Sequence, residues 1–186
     1  MWRYFFAALL AAQLLALSSL TALAQGVSFF DSDKAPGIAS LGVGAFNITK
    51  QGRGDQAALF QLDLVPDFTL VSFGEHAFVH PYIGGWVTTD AGRMAYGGLQ
   101  VLVPLGDHLE ARPFFAVGAF DEGDGEDLRS TALFHLGLTL FYVTQAGWRF
   151  GASFTHQSHG ELLSSDNNPG SNNVLLGIAV PFDKLF

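Results

Sequence analysis

Cysteine is absent from this chain, so neither a disulfide framework nor a thiolate site contributes to its structure or chemistry. Charged residues make up only 14% of the sequence, and 17 acids outnumber the 9 Lys and Arg residues. The resulting net charge of -8 argues against phosphate contacts, and we expect no nucleic acid among the partners. Packing and backbone hydrogen bonds must therefore supply the stability of the fold.

Long apolar runs are also missing beyond the N-terminal segment, so no stretch of about 18 apolar residues offers a membrane-spanning helix. In the first 24 residues, Arg3 precedes a mostly apolar run at 5–17, and Ala22-Leu23-Ala24 forms a small-x-small cleavage site. We interpret residues 1–24 as a signal peptide for export and residues 25–186 as one domain. Any membrane span of the exported chain must then be made of strands.

Glycine and phenylalanine are abundant, at 22 and 18 residues, which is typical of all-β, aromatic-rich chains. Segments of about ten residues with high β propensity alternate with turn-rich breaks. They predict strands at residues 38–48, 56–66, 77–88, 94–103, 112–120, 130–142, 148–158 and 172–182. Eight is the smallest common strand number of a closed membrane barrel. The predicted fold class is therefore all-β, an eight-stranded antiparallel transmembrane β-barrel.

The last three predicted strands alternate most cleanly between two faces. One face of each carries apolar side chains, namely Phe134, Leu136 and Leu138, then Phe150 and Phe154, then Val174, Leu176 and Ile178. Such a face suits lipid, and the opposite positions carry polar groups that would fill a small lumen with paired charges. Those groups are Arg149, Gln157, Asp63, Gln61, Glu110 and Arg112. The alternative is a soluble, lipocalin-like barrel, whose apolar faces would point inward.

The breaks between strands predict an orientation. Residues 121–129 and 159–171 are long, polar and glycine-rich, whereas 104–109 and 143–147 are short turns. Outer-membrane barrels keep their long loops outside, and the parity of eight strands places both long breaks at that end. We therefore expect the protein to lie in the bacterial outer membrane, surrounded by its lipids. The sequence leaves open whether the barrel forms a homodimer. The terminal aromatic Phe186 resembles the recognition signal read by the outer-membrane assembly machinery.

His156 and Ser158 end the strand predicted at 148–158 and lie on the same face, with side chains about 6 to 7 Å apart. A Ser hydroxyl is un-ionised at neutral pH and needs such a base to act as a nucleophile. By parity the pair follows Phe150 and Phe154 on the apolar face. We therefore predict a hydrolase site at the barrel rim, reached from lipid, with its residues packing no core. The alternative is that both are polar residues at the headgroup boundary.

Asn172 begins the next strand at the same end and faces the same side, where its amide oxygen is placed to accept the His156 ring N–H. The turn Asn168-Pro169-Gly170 predicts a tight loop rich in N–H groups. Asn168 and the backbone around Gly160, Gly170 and Ser171 are accordingly the candidate oxyanion-hole donors.

The closing segment carries a family resemblance. His156-Gln157-Ser158-His159-Gly160, followed by Asn-Asn-Pro-Gly-Ser-Asn at 167–172 and a final alternating strand, resembles the lipid A 3-O-deacylases of the PagL type. Members of that family are eight-stranded outer-membrane barrels that remove an ester-linked acyl chain from lipid A. The resemblance implies Ser158 as the nucleophile, His156 as the general base and Asn168 as an oxyanion donor. It also implies lipid A of lipopolysaccharide as the substrate, with no metal and no cofactor.

Two residues depart from the family pattern. His159 stands where the family usually has Asn, and Asn172 stands where it usually has an acid. Losing the carboxylate weakens stabilisation of the imidazolium without abolishing its orientation, and Glu161 or Asp166 offers a carboxylate from the loop instead. The leading hypothesis is a membrane-embedded esterase acting on lipid A. A catalytically inactive barrel with a structural or surface-interaction role is the alternative, and a phospholipase is the third.

Two further groups of residues invite a metal interpretation. The acids Asp121, Glu122, Asp124, Glu126 and Asp127 are dense enough to attract Ca²⁺, but their spacing does not match an EF-hand loop. We interpret them as a solvated acidic loop. The histidines His76, His80, His108 and His135 show no metal-ligand pattern, so we interpret them as structural and predict no metal site.

Overall fold

Ten strands make up most of the computed structural model, which describes residues 26–31, 36–49, 56–160 and 168–185. They are β1 (Val27–Asp31), β2 (Ile38–Phe46), β3 (Ala57–Val65), β4 (Thr69–Phe73), β5 (Ala77–Thr88), β6 (Arg93–Pro104), β7 (Leu109–Asp121), β8 (Ala132–Val143), β9 (Arg149–Ser158) and β10 (Ser171–Pro181). A turn of 3-10 helix at Phe182–Lys184 follows β10. Across these ranges, no helix has the length and apolar character needed to cross a membrane. The predicted signal peptide at 1–24, the loop acids Glu161 and Asp166, and Phe186 lie outside the described residues.

Eight of these strands, β2, β3 and β5 to β10, form a closed ring in which all neighbours are antiparallel. The last strand closes the ring by pairing with the first, from Val174 opposite Ala45 to Pro181 opposite Ile38. Closure pairs the backbone groups of every ring strand on both sides, which the bilayer interior requires because it offers no water to unpaired groups. The prediction of an all-β, eight-stranded antiparallel transmembrane barrel is confirmed.

Each predicted strand overlaps one observed ring strand, but the prediction missed β1 and β4. These two short strands pair with each other, and β4 also pairs with the start of β5, from Val71 opposite Val79 to Phe73 opposite Ala77. They extend the sheet beyond the ring at the end where β5 begins. Five residues are too few to show a clear alternation, and β4 lies within a connection that the sequence marks only as a break.

The outer surface of the ring is apolar. Leu176 is 66% exposed and Leu41 is 61% exposed, and large apolar side chains on other ring strands are exposed in the same way. Examples are Val43, Phe60, Leu62, Ile83, Val87, Leu99, Phe115, Val117, Leu140 and Phe150. A continuous apolar outer belt is the lipid-facing surface of a membrane barrel. The soluble lipocalin-like alternative is therefore wrong, because in it these faces would point inward.

Polar side chains pair with one another inside the ring. Glu110 accepts hydrogen bonds from the buried Arg112 and Arg149, with Nε to Oε1 distances of 2.5 and 3.2 Å. The Tyr96 hydroxyl donates to an Asp63 oxygen at 2.6 Å. Aromatic rings fill much of the remaining interior. The interior is thus packed with paired polar groups, as the alternation predicted.

Four connections divide between the two ends of the ring as predicted: the long ones at 122–131 and 159–170 leave at one end, and the short ones at 105–108 and 144–148 leave at the other. Two others do not follow this division, since the connection at 66–76, which contains β4, is long and leaves at the end of the short ones, and the connection at 89–92 is short and leaves at the end of the long ones. His156 and Ser158 lie at the end that carries the long connections. The candidate site therefore lies at the end of the barrel that was predicted to face outward.

Candidate active site

The predicted site residues lie where β9 ends and β10 begins. His156 pairs directly with Asn172 of β10 and, on its other side, with Leu136 of β8. Ser158 is paired with Phe134. Alternation from the exposed Phe150 puts His156 and Ser158 on the outer face of β9, and pairing puts Asn172 beside them. Two adjacent strands therefore bring the three predicted site residues together on one face.

The pair lies at the rim on the outer face as predicted and belongs to no described hydrophobic core cluster, but both side chains are buried. His156 is only 7% exposed and Ser158 only 2%, whereas Phe150, lower on the same face, is 48% exposed. Gly170 accounts for part of this cover, because a Cβ added there would lie 3.0 Å from Cε1 of His156. Gly170 also adopts a φ of +58°, a conformation that favours glycine. Strand parity determines the side on which a residue lies, but the loop backbone determines what covers it.

Asn172 orients the imidazole of His156. The Nδ1 atom of His156 lies 2.7 Å from the Asn172 Oδ1 atom, and both side chains are buried. An amide oxygen only accepts, so Nδ1 carries the proton and Nε2 is the basic nitrogen of this tautomer. This is the contact that the strand register predicted. Its use in catalysis stays a prediction.

Ser158 is two residues from His156 along the same strand face. In the described part of the chain, the His156 ring and the Ser158 hydroxyl are not hydrogen-bonded to each other. Successive side chains on one face of a strand are about 6 to 7 Å apart, a separation that a change of rotamer can close. Contacts between a nucleophile and its base are often long before substrate binds and shorten in the complex. The strand therefore presents a base and a hydroxyl on one face, at a separation from which they can come into contact.

Asn168 and Gly160, two of the candidate oxyanion donors, flank this pair. The His159 backbone N–H donates to Asn168 Oδ1 at 3.3 Å, which leaves the NH₂ group as the donor end of that amide. Asn168 is thereby attached to the residue that follows Ser158. Gly160 lies two residues beyond Ser158 with a φ of +62°, and it is exposed. The roles of both residues as donors stay predictions.

Sequence reasoning missed a polar layer inside the barrel, directly behind the outer site. Asn173 is at its centre, because its Oδ1 accepts from the Asn47 N–H at 2.9 Å and from the Ser171 hydroxyl at 2.8 Å. Its Nδ2 donates to Gln157 Oε1 at 2.5 Å and to Thr155 Oγ1 at 3.0 Å. All these side chains are buried. The layer joins β9 to β10 behind His156 and Asn172. Its signal in the sequence was that residues 155–158 and 171–173 are polar on both faces of their strands.

The histidine His135 belongs to the same interior layer. Its Nδ1 accepts a hydrogen bond from Gln157 Nε2 at 2.8 Å, and its ring lies 4.4 Å from that of Tyr96, measured between centroids. Both contacts are structural, in agreement with how the sequence was interpreted at this position.

The acidic loop after β7 is stabilised by contacts among its own residues and with the start of β6 and the turn before it. Asp121 pairs with Arg93 at 2.8 Å on the surface, and Asp127 accepts from the Arg129 N–H at 2.6 Å. The charge of Asp127 raises the pKa of Glu122 above its usual value, since the two carboxylates are close. In the described part of the chain, no group of three or more His, Cys, Asp or Glu residues is arranged to hold a metal. These contacts are those of a solvated loop.

Solved structures of outer-membrane proteins share this fold, and two crystal structures are among them. The outer membrane enzyme PagL is 17% identical and has a TM-score of 0.60, and the match covers 78% of this chain and 99% of that one. Neisserial surface protein A (NspA) is 12% identical and has a TM-score of 0.50, and the match covers 85% of this chain and 100% of that one. No protein-family model and no curated protein matches the chain. At these identities the similarity extends to the fold alone, and the chain has the fold of the eight-stranded outer-membrane barrels.

Proposed function

We propose that this protein is an outer-membrane esterase that hydrolyses an ester-linked acyl chain of lipid A, with Ser158 as the nucleophile and His156 as its base. The hydrogen bond between His156 Nδ1 and Asn172 Oδ1 carries the proposal, because it makes Nε2 the basic nitrogen of a His that shares its strand face with Ser158. The closing segment's resemblance to lipid A 3-O-deacylases supports the choice of substrate. The position of the site supports the proposal, because it lies at the end with the long loops, and outer-membrane barrels keep their long loops on the outside, where lipopolysaccharide is.

In the first half of the reaction, Ser158 Oγ attacks the ester carbonyl carbon while its proton moves to His156 Nε2. The carbonyl oxygen becomes an oxyanion, for which the Asn168 NH₂ group and the Gly160 N–H are the proposed donors. When the intermediate collapses, the bond to the sugar oxygen breaks and that oxygen takes the proton from His156. The acyl chain is then bound to Ser158 as an ester.

In the second half, water attacks the acyl-Ser158 ester and gives its proton to His156 Nε2. Collapse returns that proton to Ser158 Oγ and releases the fatty acid. Asn172 accepts the Nδ1–H throughout, so the ring keeps its tautomer and orientation. An amide stabilises the imidazolium of each step less than a carboxylate does, because it carries no net charge.

Asn172→Asp is therefore expected to raise kcat, by about fivefold to tenfold, since a charged acceptor is roughly twice as strong as a neutral one. Asn172→Ala is expected to lower it by about tenfold to a hundredfold. Asp has the length of Asn and fits the 2.7 Å contact, whereas Glu adds a methylene for which the ring would have to move. Steady-state kinetics at neutral pH compares the variants, with folding checked by gel mobility. A silent Asn172→Ala together with an inactive Glu161→Ala would assign the orienting role to the loop instead.

A lipid assay tests the proposed function. The protein is produced in the outer membrane of a Gram-negative host without lipid A deacylase activity of its own, and lipid A is analysed by mass spectrometry. We expect the loss of one hydroxyacyl chain and release of the corresponding fatty acid, against unchanged lipid A in cells with the empty vector. Unmodified lipid A in cells that contain the folded barrel would overturn the proposal, and cleavage of phospholipid alone would identify a phospholipase.

An inactive barrel with a structural or surface-interaction role is the second candidate. The amide at Asn172, where the resembled family usually has an acid, favours it. The fold is compatible with this role too, because NspA, which has a similar fold, is described as a surface protein. Intact lipid A and intact phospholipid in the same lipid assay, in cells that contain the folded barrel, would support this candidate.

A further inference from the structure

The Asn172 amide contacts a second residue besides His156. Its Nδ2 donates to the hydroxyl oxygen of Thr49, at 3.0 Å. Thr49 is far away in the sequence, on the connection that follows β2, and it reaches the site because β2 pairs with β10. The amide is thus held at both ends, by His156 on the oxygen and by Thr49 on the nitrogen.

The backbone around Thr49 is itself attached to the site. The Ile48 N–H donates to the carbonyl oxygen of Asn172 at 2.8 Å, and the Asn47 N–H donates to Asn173 Oδ1 at 2.9 Å. Just before them, the buried Phe46 ring packs on Trp86, with centroids 5.3 Å apart. Three consecutive residues, 47–49, therefore bond to two consecutive residues of β10, so the position of Thr49 relative to Asn172 is well determined.

The orientation of the Asn172 amide matters because its two ends have opposite chemistry. With the oxygen toward His156, Nδ1 holds the proton and Nε2 is basic. If the amide turned over, its NH₂ group would face Nδ1, and the ring would move its proton to Nε2. That tautomer cannot accept a proton from Ser158 at Nε2.

Thr49 favours the productive orientation by accepting from the buried NH₂ group. Without this hydroxyl, the NH₂ donors would be left unsatisfied in that orientation, and turning the amide over would pair them with Nδ1 instead. The bond to Thr49 also polarises the amide and makes Oδ1 a better acceptor for the imidazolium. Side-chain torsions of this amide type are broad, so a contact at one end alone leaves the plane poorly fixed.

We infer that Thr49 is a positioning residue of the site, which holds the Asn172 amide so that its oxygen faces His156 and keeps the ring in the Nδ1–H tautomer. This inference rests on the proposed esterase function for its effect on activity, but its effect on the tautomer is independent of that function. It assigns a role in the site to the connection after β2, far in sequence from the closing segment.

Thr49→Val is the test, because Val has nearly the shape of Thr and lacks the hydroxyl. We expect kcat to fall about tenfold with KM within about twofold of wild type, and Thr49→Ser to restore kcat to within about twofold. Thr89→Val is the matched control. Thr89 lies at the same end of the barrel, where its hydroxyl oxygen accepts from the Ala58 N–H at 3.2 Å, and the structure shows no hydrogen bond from it to Asn172. Equal loss of activity in Thr89→Val would show a general loop effect and overturn the inference.

Double variants show whether Thr49 acts through Asn172. In the Asn172→Ala background, Thr49→Val should have no further effect, since the amide that it positions is gone. In the Asn172→Asp background its effect should shrink to about twofold, because the two carboxylate oxygens are equivalent and turning the group over changes nothing. An undiminished tenfold loss in both backgrounds would mean that Thr49 only supports the structure.

A spectroscopic measurement separates this inference from the proposed function. In ¹⁵N-histidine-labelled protein in detergent micelles, the His156 ring signals are assigned by their absence in His156→Gln. Wild type and Thr49→Ser should show the Nδ1–H tautomer, and Thr49→Val a shift toward Nε2–H. If Thr49→Val shows this shift but the barrel hydrolyses no lipid, the positioning role stands and the esterase function is rejected. An unchanged tautomer and unchanged kcat in Thr49→Val, or in Thr49→Ala if Val prevents insertion, would reject the positioning role.

Discussion

Ser158→Ala is expected to abolish the hydrolysis of lipid A, lowering kcat by at least about a thousandfold, while the barrel still inserts and folds. Only the hydroxyl is removed, and the backbone pairing of this residue with Phe134 is unchanged. His156→Ala should have an effect of the same size. It also leaves the buried Asn172 oxygen without the His156 donor, which costs about 1 to 3 kcal/mol of stability.

Ser153→Ala is the matched control for this loss. Ser153 lies on the same strand but on the inner face, where its hydroxyl bonds to that of Thr139 at 2.8 Å. We expect its activity to stay near wild type, with stability lowered by about 1 kcal/mol. Mass spectrometry of lipid A gives the activity, and the shift in gel mobility on heating gives the folded fraction. The double variant of Ser158 and His156 should be no worse than either single one, because the two act as a unit.

Substantial remaining activity in Ser158→Ala would mean that another group attacks the ester. Loss of activity in Ser153→Ala at full folded fraction would mean that the inner face of β9, not the outer one, supplies the chemistry. Each result would reject the assignment of the nucleophile while leaving the fold intact.

Leu138→Arg is expected to impair assembly of the barrel strongly. Leu138 lies near the middle of β8 on the outer face, between Pro113 of β7 and Phe154 of β9. An Arg at the bilayer midplane on the lipid face of a barrel costs about 2 to 4 kcal/mol, because the charge loses its hydration. The folded fraction after insertion into lipid, measured by gel mobility, should fall accordingly. Ile178→Arg on β10 should behave in the same way.

Glu at two neighbouring positions provides the matched comparison. Leu138→Glu places a carboxylate in lipid, whereas Thr139→Glu places the same carboxylate inside, directly across from Arg112. We expect Thr139→Glu to insert better than Leu138→Glu. Gly177, although on the inner face, is not a suitable control, because a Cβ there would lie 2.9 Å from the Leu41 carbonyl oxygen. Equal tolerance at 138 and 139 would show that the outer face of β8 does not meet lipid.

Much of the fold could be predicted because a strand's two faces are a local property. The alternation of Phe150 and Phe154 with Gly151, Ser153 and Thr155 determines which side chains share a face, wherever the strand lies. Segments of about ten residues between turn-rich breaks then gave the number of ring strands. The lengths of the breaks gave the orientation of the barrel. The short strands β1 and β4 escaped prediction because their few residues acquire order from pairing with each other and with β5.

The residue types of the site, and the pairing of His156 with Asn172, also followed from the sequence, because both depend on adjacent strands joined by one loop. The burial of that site could not follow from it. Thr49 is 123 residues from Asn172 and meets it only because the last strand closes onto the first. Local alternation therefore determined the faces, the number of ring strands and the candidate chemistry. Only the tertiary structure decided the rest: the loop backbone at Gly170 covers part of His156, and the closure of the ring, which brings distant segments into contact, holds the Asn172 amide in place.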